Sequence, residues 1–239
     1  RRPAAHRRTA GRSAQFKCVC CNYTLVAVSF DCFGTLVAAD RPDEPWTAVA
    51  DALAVRDVTV PADWEAAYRR SHREYDRGAE APLDEHVRLA LADCGIEVDA
   101  ATARAATLDA FDAPVTVRDG ANAAIESARR YGAVAVCSNC SVPGLVEQTL
   151  ERASIDVDHV VTSVGCGWRK PDRRIFERTA TVLDVPLYAL VHVGDDARTD
   201  GGAERVGATT VLLDDVALSD LPEWFDANWP NAGAGGDRQ

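Results

Sequence analysis

Four polar stretches carry the side chains best suited to chemistry in this 239-residue chain: Asp31 in DCFGT, Ser138 in SNCS, Lys170 in GWRKPD, and Asp195, Asp196 and Asp200 in GDDARTD. An aspartate can attack phosphorus or carbon when its charge is held in place, because a covalent intermediate divides one hard displacement into two easier ones. Lysine is scarce here, with 24 Arg against two Lys. A retained Lys170 therefore points to a need for a compact ammonium, such as neutralising Asp31 and an incoming anion at one point. A serine hydroxyl can hold an anionic oxygen, although serine after a strand is also a common helix cap. The acids of GDDARTD, together with Asp31, are hard oxygen ligands that suit Mg2+. With 25 Asp in the chain, an acidic loop also reads as solvated surface, Asp196 above all.

These stretches need a scaffold that brings them together. Five apolar segments, LVAVSF (25–30), AVAVCS (133–138), HVVTSV (159–164), ALVHVG (189–194) and ATTVLL (208–213), are continuous rather than alternating, as in strands buried on both faces of a parallel sheet. Helical patterns over 141–152, 171–184 and 197–206 separate the last four, which predicts an α/β fold with a doubly wound, Rossmann-like parallel sheet. Each polar stretch then follows a strand, at the edge where open α/β sheets bind ligands. Between the first and second strands about 100 residues read almost wholly as helix, over 44–55, 62–77, 83–94, 100–111 and 119–131. The first four predict an all-helical insert over 40–112, a cap able to act as a lid. The core is expected over 21–39 and 113–222, with a tail over 223–239.

The ordered set acid, hydroxyl, lysine, acid pair at successive strand ends resembles the haloacid dehalogenase superfamily, specifically the members with a helical cap inserted after the first strand. The resemblance covers residues 24–215. It implies catalysis through a covalent aspartyl intermediate, with Asp31 as nucleophile and Gly34 and Thr35 shaping its loop. Lys170, Ser138 and Thr35 would stabilise charge, and Ser138 with Asn139 matches the family's second motif. Asp195 matches the main ligand of a Mg2+ cofactor and Asp200 a supporting acid, with Asp31 and the carbonyl oxygen of Phe33 completing the set.

Phe33 is the departure. Phosphatases of this superfamily carry a second Asp two residues after the nucleophile, which protonates the leaving alcohol and later activates water. Phenylalanine transfers no proton, and loss of such a group costs about 10²–10⁴ in rate. The metal-independent 2-haloacid dehalogenases share the FDxxGTL pattern and release halide unprotonated, but they tend to lack the first acid of the fourth motif, which this chain keeps. The expected function is a Mg2+-dependent phosphatase acting on a small anionic substrate. The alternatives are a 2-haloacid dehalogenase and a phospho-ligand binder without turnover.

Composition sets the outer limits. Net charge is −11, and the first 17 residues hold six basic groups and no acid, leaving 20 basic against 37 acidic residues in the rest. That excess argues against a nucleic-acid-binding face. No apolar run reaches the roughly 18 residues of a membrane span. The Asp-rich, Lys-poor alphabet fits a halophilic cytoplasm, although a GC-rich genome alone would also favour Arg over Lys. Residues 1–20 are expected to be a disordered extension. The eight cysteines follow no disulfide-scaffold spacing, so reduced thiols in a cytoplasmic protein are the expectation. Cys18–Cys21 and Cys137–Cys140 have CxxC spacing, for which buried filler is a better account than zinc. Cys32, beside Asp31, is a possible oxidation-sensitive thiol, with filler again the better account. Arg41, Arg56, Arg69 and Arg70 are all available to grip a substrate carboxylate. Trp46, Trp64 and Trp168 are expected in packing, and the scattered His residues indicate no triad. The sequence specifies no oligomeric state.

Overall fold

A computed structural model describes residues 26–229; the expected extension over 1–20, the Cys18–Cys21 pair and the end of the tail lie outside them. The strands are β1 (Ala27–Phe30), β2 (Val37–Ala39), β3 (Val115–Val117), β4 (Val134–Ser138), β5 (His159–Thr162), β6 (Leu190–Gly194) and β7 (Thr209–Leu212). Five of them form one sheet in the order β5-β4-β1-β6-β7, every neighbouring pair parallel. Alternate side chains of β1 and β4 enter different cores. Val28, Phe30, Val134 and Val136 join one cluster, whereas Ala27, Ala135 and Cys137 join another. With both faces covered, the strands are apolar throughout.

The helices of the core are α5 (Ala121–Arg129), α6 (Leu145–Arg152), α7 (Ser163–Cys166), α8 (Arg173–Val182), α9 (Gly202–Arg205) and α10 (Leu221–Asn228), and those of the insert are α1 (Pro45–Ala54), α2 (Trp64–Arg69), α3 (Leu83–Asp93) and α4 (Ala100–Ala110). Helix α8 buries Ile175, Phe176, Thr179 and Ala180, one apolar stripe, and the Asp172 carboxylate caps it by accepting the Arg174 N–H at 3.0 Å. The insert has its own core of Val49, Leu53, Trp64, Val87, Leu91 and Ala106. It leaves and rejoins the core through the antiparallel ribbon β2–β3, with Ala39 opposite Val115.

Several boundaries differ from the sequence expectation: α6 starts at Leu145 rather than 141 and α9 at Gly202 rather than 197, and three further differences carry a physical reason. Helix α2 ends at Arg69, not residue 77, because residues 70–77 offer no apolar face to bury and a helix that short lives on packing. Residues 163 and 164, expected in a strand, begin α7, where the Thr162 hydroxyl accepts the Gly165 N–H. Helix α10 crosses the boundary expected at 222, with Leu221 and Phe225 fully buried in the core. No helix among the described residues is long and apolar enough to cross a membrane.

Candidate active site

Strand β1 has β4 on one side and β6 on the other, the switch point at which an open sheet parts into a crevice. Asp31 follows β1 directly. Its N–H donates to the Val193 carbonyl at 2.8 Å, which holds the residue at the sheet edge. The chain then turns, with the Leu36 and Val37 N–H groups donating to the Cys32 carbonyl at 2.9 and 3.0 Å. Gly34 sits at φ +91°, and a Cβ there would lie 2.4 Å from Asp195 Oδ2. The positive φ favours glycine, and a Cβ would also push the Asp195 carboxylate aside.

Lys170 reaches this edge from the opposite loop. Its Nζ lies 2.7 Å from Asp31 Oδ1 and 2.6 Å from Asp200 Oδ1, with its side chain 1% exposed. Burial opposes the charge, but the two carboxylates outweigh it and hold the ammonium protonated well above its ordinary range. Asn139 fixes the lysine's backbone: its Nδ2 donates to the Lys170 carbonyl at 3.0 Å, and its Oδ1 accepts the Lys170 N–H at 2.7 Å.

Asp200 is committed at both oxygens. Oδ1 meets Lys170 and the His192 Nε2 at 2.9 Å, and Oδ2 accepts the Asp196 N–H at 3.0 Å. Burial works against its charge, yet His192 and Lys170 together depress its pKa. Burial lowers the pKa of His192 and keeps the imidazole neutral. Its Nε2–H therefore donates to Asp200, while Nδ1 accepts the Ser29 hydroxyl at 2.9 Å. The line Ser29–His192–Asp200 has the residue types of a hydrolytic triad, but Ser29 is fully buried and cannot meet a substrate. Asp195 stands at the open side, its pKa raised by partial burial and by the charges of Asp31 and Asp200, against the Thr35 hydroxyl that donates to its Oδ1 at 3.0 Å.

These groups surround a cavity of about 380 Å3. Asp31, Phe33, Ser138, Asn139, Lys170, Asp195, Asp196 and Asp200 all line it. Thr35 is not among the lining residues; it touches Asp195, which is. Of the four arginines singled out, Arg41 lines the cavity. The others are taken up elsewhere, Arg56 by Asp109, Arg69 by Glu65 and Arg70 by Asp93. Arg169, also in the lining, was not singled out in the sequence; its place beside Lys170 is the only signal for it. Trp64 is buried in the insert, Trp46 lies under Arg69, and Trp168 lies under Arg174. Cys32, Cys137 and Cys140 are buried and unpaired. Burial raises all three thiol pKa values, to about 11 for Cys137 and Cys140, so they are inert filler.

Asp31, Asp195 and Asp200 each offer one oxygen, and these atoms lie within 4.8 Å of one another. Among the described residues one ammonium, that of Lys170, touches two of the three carboxylates, Asp31 and Asp200, and every donor is a hard oxygen. That negative surplus and donor set fit a divalent cation such as Mg2+.

A family model for haloacid dehalogenase-like hydrolases matches residues 25–207. The "Haloacid dehalogenase-like hydrolase domain-containing protein 3" of Bos taurus is 35% identical over 109 residues, 43% of this chain and 43% of that relative, so the match spans less than half of its length. Among solved structures, a 2-haloacid dehalogenase from Pseudomonas syringae pv. Tomato DC3000 superposes with a TM-score of 0.61 at 20% identity, covering 85% of this chain and 99% of that one. A HAD phosphatase from Thermococcus onnurineus gives a TM-score of 0.51 at 18% identity, covering 84% and 97%. At these identities the two structures establish a shared fold.

Proposed function

The chain belongs to the haloacid dehalogenase-like hydrolases, and on that premise we propose that it is a Mg2+-dependent phosphatase acting on a small phosphorylated metabolite through a covalent intermediate on Asp31. The supporting observation is the third carboxylate, Asp195, beside Asp31 and Asp200 where one ammonium already serves the other two. A displacement that needed no metal would gain nothing from that extra charge.

Asp31 attacks phosphorus through a carboxylate oxygen, and the bond from phosphorus to the leaving oxygen breaks with its electron pair. Water then attacks the phosphorus of the acyl phosphate, restoring Asp31 and releasing phosphate. Lys170 anchors one Asp31 oxygen and offsets charge on the phosphoryl group, and Ser138 presents its hydroxyl to a phosphoryl oxygen. Asn139 keeps Lys170 in place, and Thr35 keeps Asp195 in place. Asp31, Asp195, Asp200 and the Phe33 carbonyl would hold Mg2+, whose charge polarises the phosphoryl oxygens when bound. The helices over 40–112 serve as a cap, with Arg41 and Arg169 at the mouth drawing in an anion. Position 33 donates no proton, so phosphates with leaving groups stable as anions are preferred. The unpaired cysteines suit a reducing cytoplasm.

Phe33 also favours a second reading. If Asp31 attacks carbon, an ester forms and halide departs without a proton, which makes 2-haloacid hydrolysis the alternative. One assay separates the readings: an activated aryl phosphate and 2-chloropropionate, each with Mg2+ and with EDTA, scored for phosphate and chloride. Metal-dependent phosphate release, abolished in a folded Asp31→Asn variant, is the expected result. EDTA-resistant chloride release would replace the phosphatase with the dehalogenase, and silence in every arm would leave a ligand-binding protein.

A further inference from the structure

Glu80 lies in the insert, distant in sequence from every residue of the cavity, yet its side chain is only 2% exposed. A carboxylate is not buried without partners, and apart from the adjacent Ala81 N–H, which donates to Oε1 at 3.0 Å, those of Glu80 belong to the core, at the start of α7 and in the loop before Lys170. Its Oε2 accepts the Ser163 hydroxyl and lies 3.6 Å from Arg169 Nε. Ser163 Oγ in turn accepts the Cys140 N–H at 2.8 Å. Cys140 follows Ser138 by two residues and adjoins Asn139, whose side chain fixes the Lys170 backbone.

The backbone repeats the connection. The Glu80 N–H donates to the Gly167 carbonyl and the Arg169 N–H to the Gly78 carbonyl, both at 2.9 Å, while the Leu83 N–H donates to the Ser141 carbonyl at 2.9 Å. Residues 78–83 thus form a strap laid across two loops, one running from Ser138 and one leading into Lys170. The strap contributes no side chain to the cavity lining, so any influence it has on chemistry passes through those loops.

We propose that Glu80 is a positioning residue: through Ser163 it fixes the loop that runs from Ser138 through Asn139, and so couples the seating of the insert to the geometry of the site. The proposal rests on the reading that Ser138 and Lys170 meet the substrate. A misplacement of about 1 Å costs on the order of 100-fold in rate, which sets the size of the effect. Glu80 touches no reacting atom, so its loss acts on kcat and leaves Asp31 available to attack.

The test uses the full chain as wild type and as Glu80→Ala, Glu80→Gln and Ser163→Ala, assayed on the aryl phosphate and on 2-chloropropionate, with backbone hydrogen exchange followed over 134–145 and 173–182. The expected result is a loss of roughly 10- to 100-fold in kcat/KM, mostly in kcat, for Glu80→Ala and Ser163→Ala. Glu80→Gln keeps an oxygen acceptor for Ser163 and recovers most of the rate. Exchange accelerates over 134–145 and stays unchanged over 173–182. Wild-type rate and exchange in Glu80→Ala would overturn the proposal. So would equal losses in the Ala and Gln variants accompanied by faster exchange in both segments, the pattern of a group that only stabilises the fold. A wild-type protein inactive on both substrates refutes the hydrolase reading alone. Exchange over 134–145 then still decides this one, since acceleration confined to that segment supports it and unchanged exchange overturns it.

Discussion

The core edge and the helical insert treat charge in opposite ways. At the edge, Lys170 and Asp200 are each 1% exposed and share a contact of 2.6 Å. In the insert, Arg70 and Asp93 form a pair that is 59% and 42% exposed. Breaking a buried pair strands a charge in a poor solvent, at a cost of about 3–5 kcal/mol, whereas an exposed pair contributes about 0–1 kcal/mol. The proposed site therefore lies where geometry is over-determined, and the insert keeps charges that can be exchanged at little cost. Glu80 is the exception, a carboxylate of the insert held as tightly as those of the core.

The largest expected effect tests whether another group supplies the proton that position 33 cannot. Phe33→Asp should raise turnover of alkyl phosphates by roughly 10²–10⁴, measured as phosphate release, and scarcely change that of aryl phosphates. No gain would mean that another group already protonates the leaving oxygen, which would break the division between core and insert. Next comes the contrast between the two ion pairs. Lys170→Met should lower unfolding free energy by about 3–5 kcal/mol and remove turnover, while Arg70→Met should lower it by less than about 1 kcal/mol. Denaturant unfolding of both variants compares them directly, and equal losses would erase the distinction.

The smallest effect concerns a core charge that is half open to water. Asp158 Oδ2 accepts the Val134 N–H at 2.7 Å, and Oδ1 lies 3.1 Å from Arg129, with the side chain 39% exposed. The Val134 hydrogen bond leads the causes that hold its pKa below 3.8. A depressed carboxylate stabilises the fold above its unfolded pKa, and that contribution fades as pH falls through the folded value. Asp158→Ala should therefore cost about 1 kcal/mol at pH 7, and its gap from wild type should narrow below pH 3.8. A gap independent of pH would assign the residue a packing role.

Much of the sheet was legible because strands buried on both faces must be apolar along their length, and because residues that follow successive parallel strands share one edge of the sheet. Asp31, Ser138, Lys170 and Asp195 meet around one cavity for that reason. The ribbon β2–β3 was not foreseen, since three-residue strands such as VAA and VTV carry no period to read. The early end of α2 was hidden because RRSHREYDR contains good helix formers, and only the missing apolar face reveals the stop. Glu80 was invisible as one acid among 37; what distinguishes it is burial against Ser163, a contact between residues that the chain separates widely. His192 announced itself only as a polar residue within an apolar strand.

The ribbon that joins insert to core has one last consequence. Because Ala39 faces Val115, the central sheet experiences everything between them much as it would a single long hairpin turn. Closure entropy rises only logarithmically with loop length, about 0.6 kcal/mol per doubling, so evolution can graft a longer or shorter module here without shifting the register of any strand. What such a graft must carry with it is the strap, which returns to the loops at Ser141 and Gly167 and turns an interchangeable accessory into part of the machine.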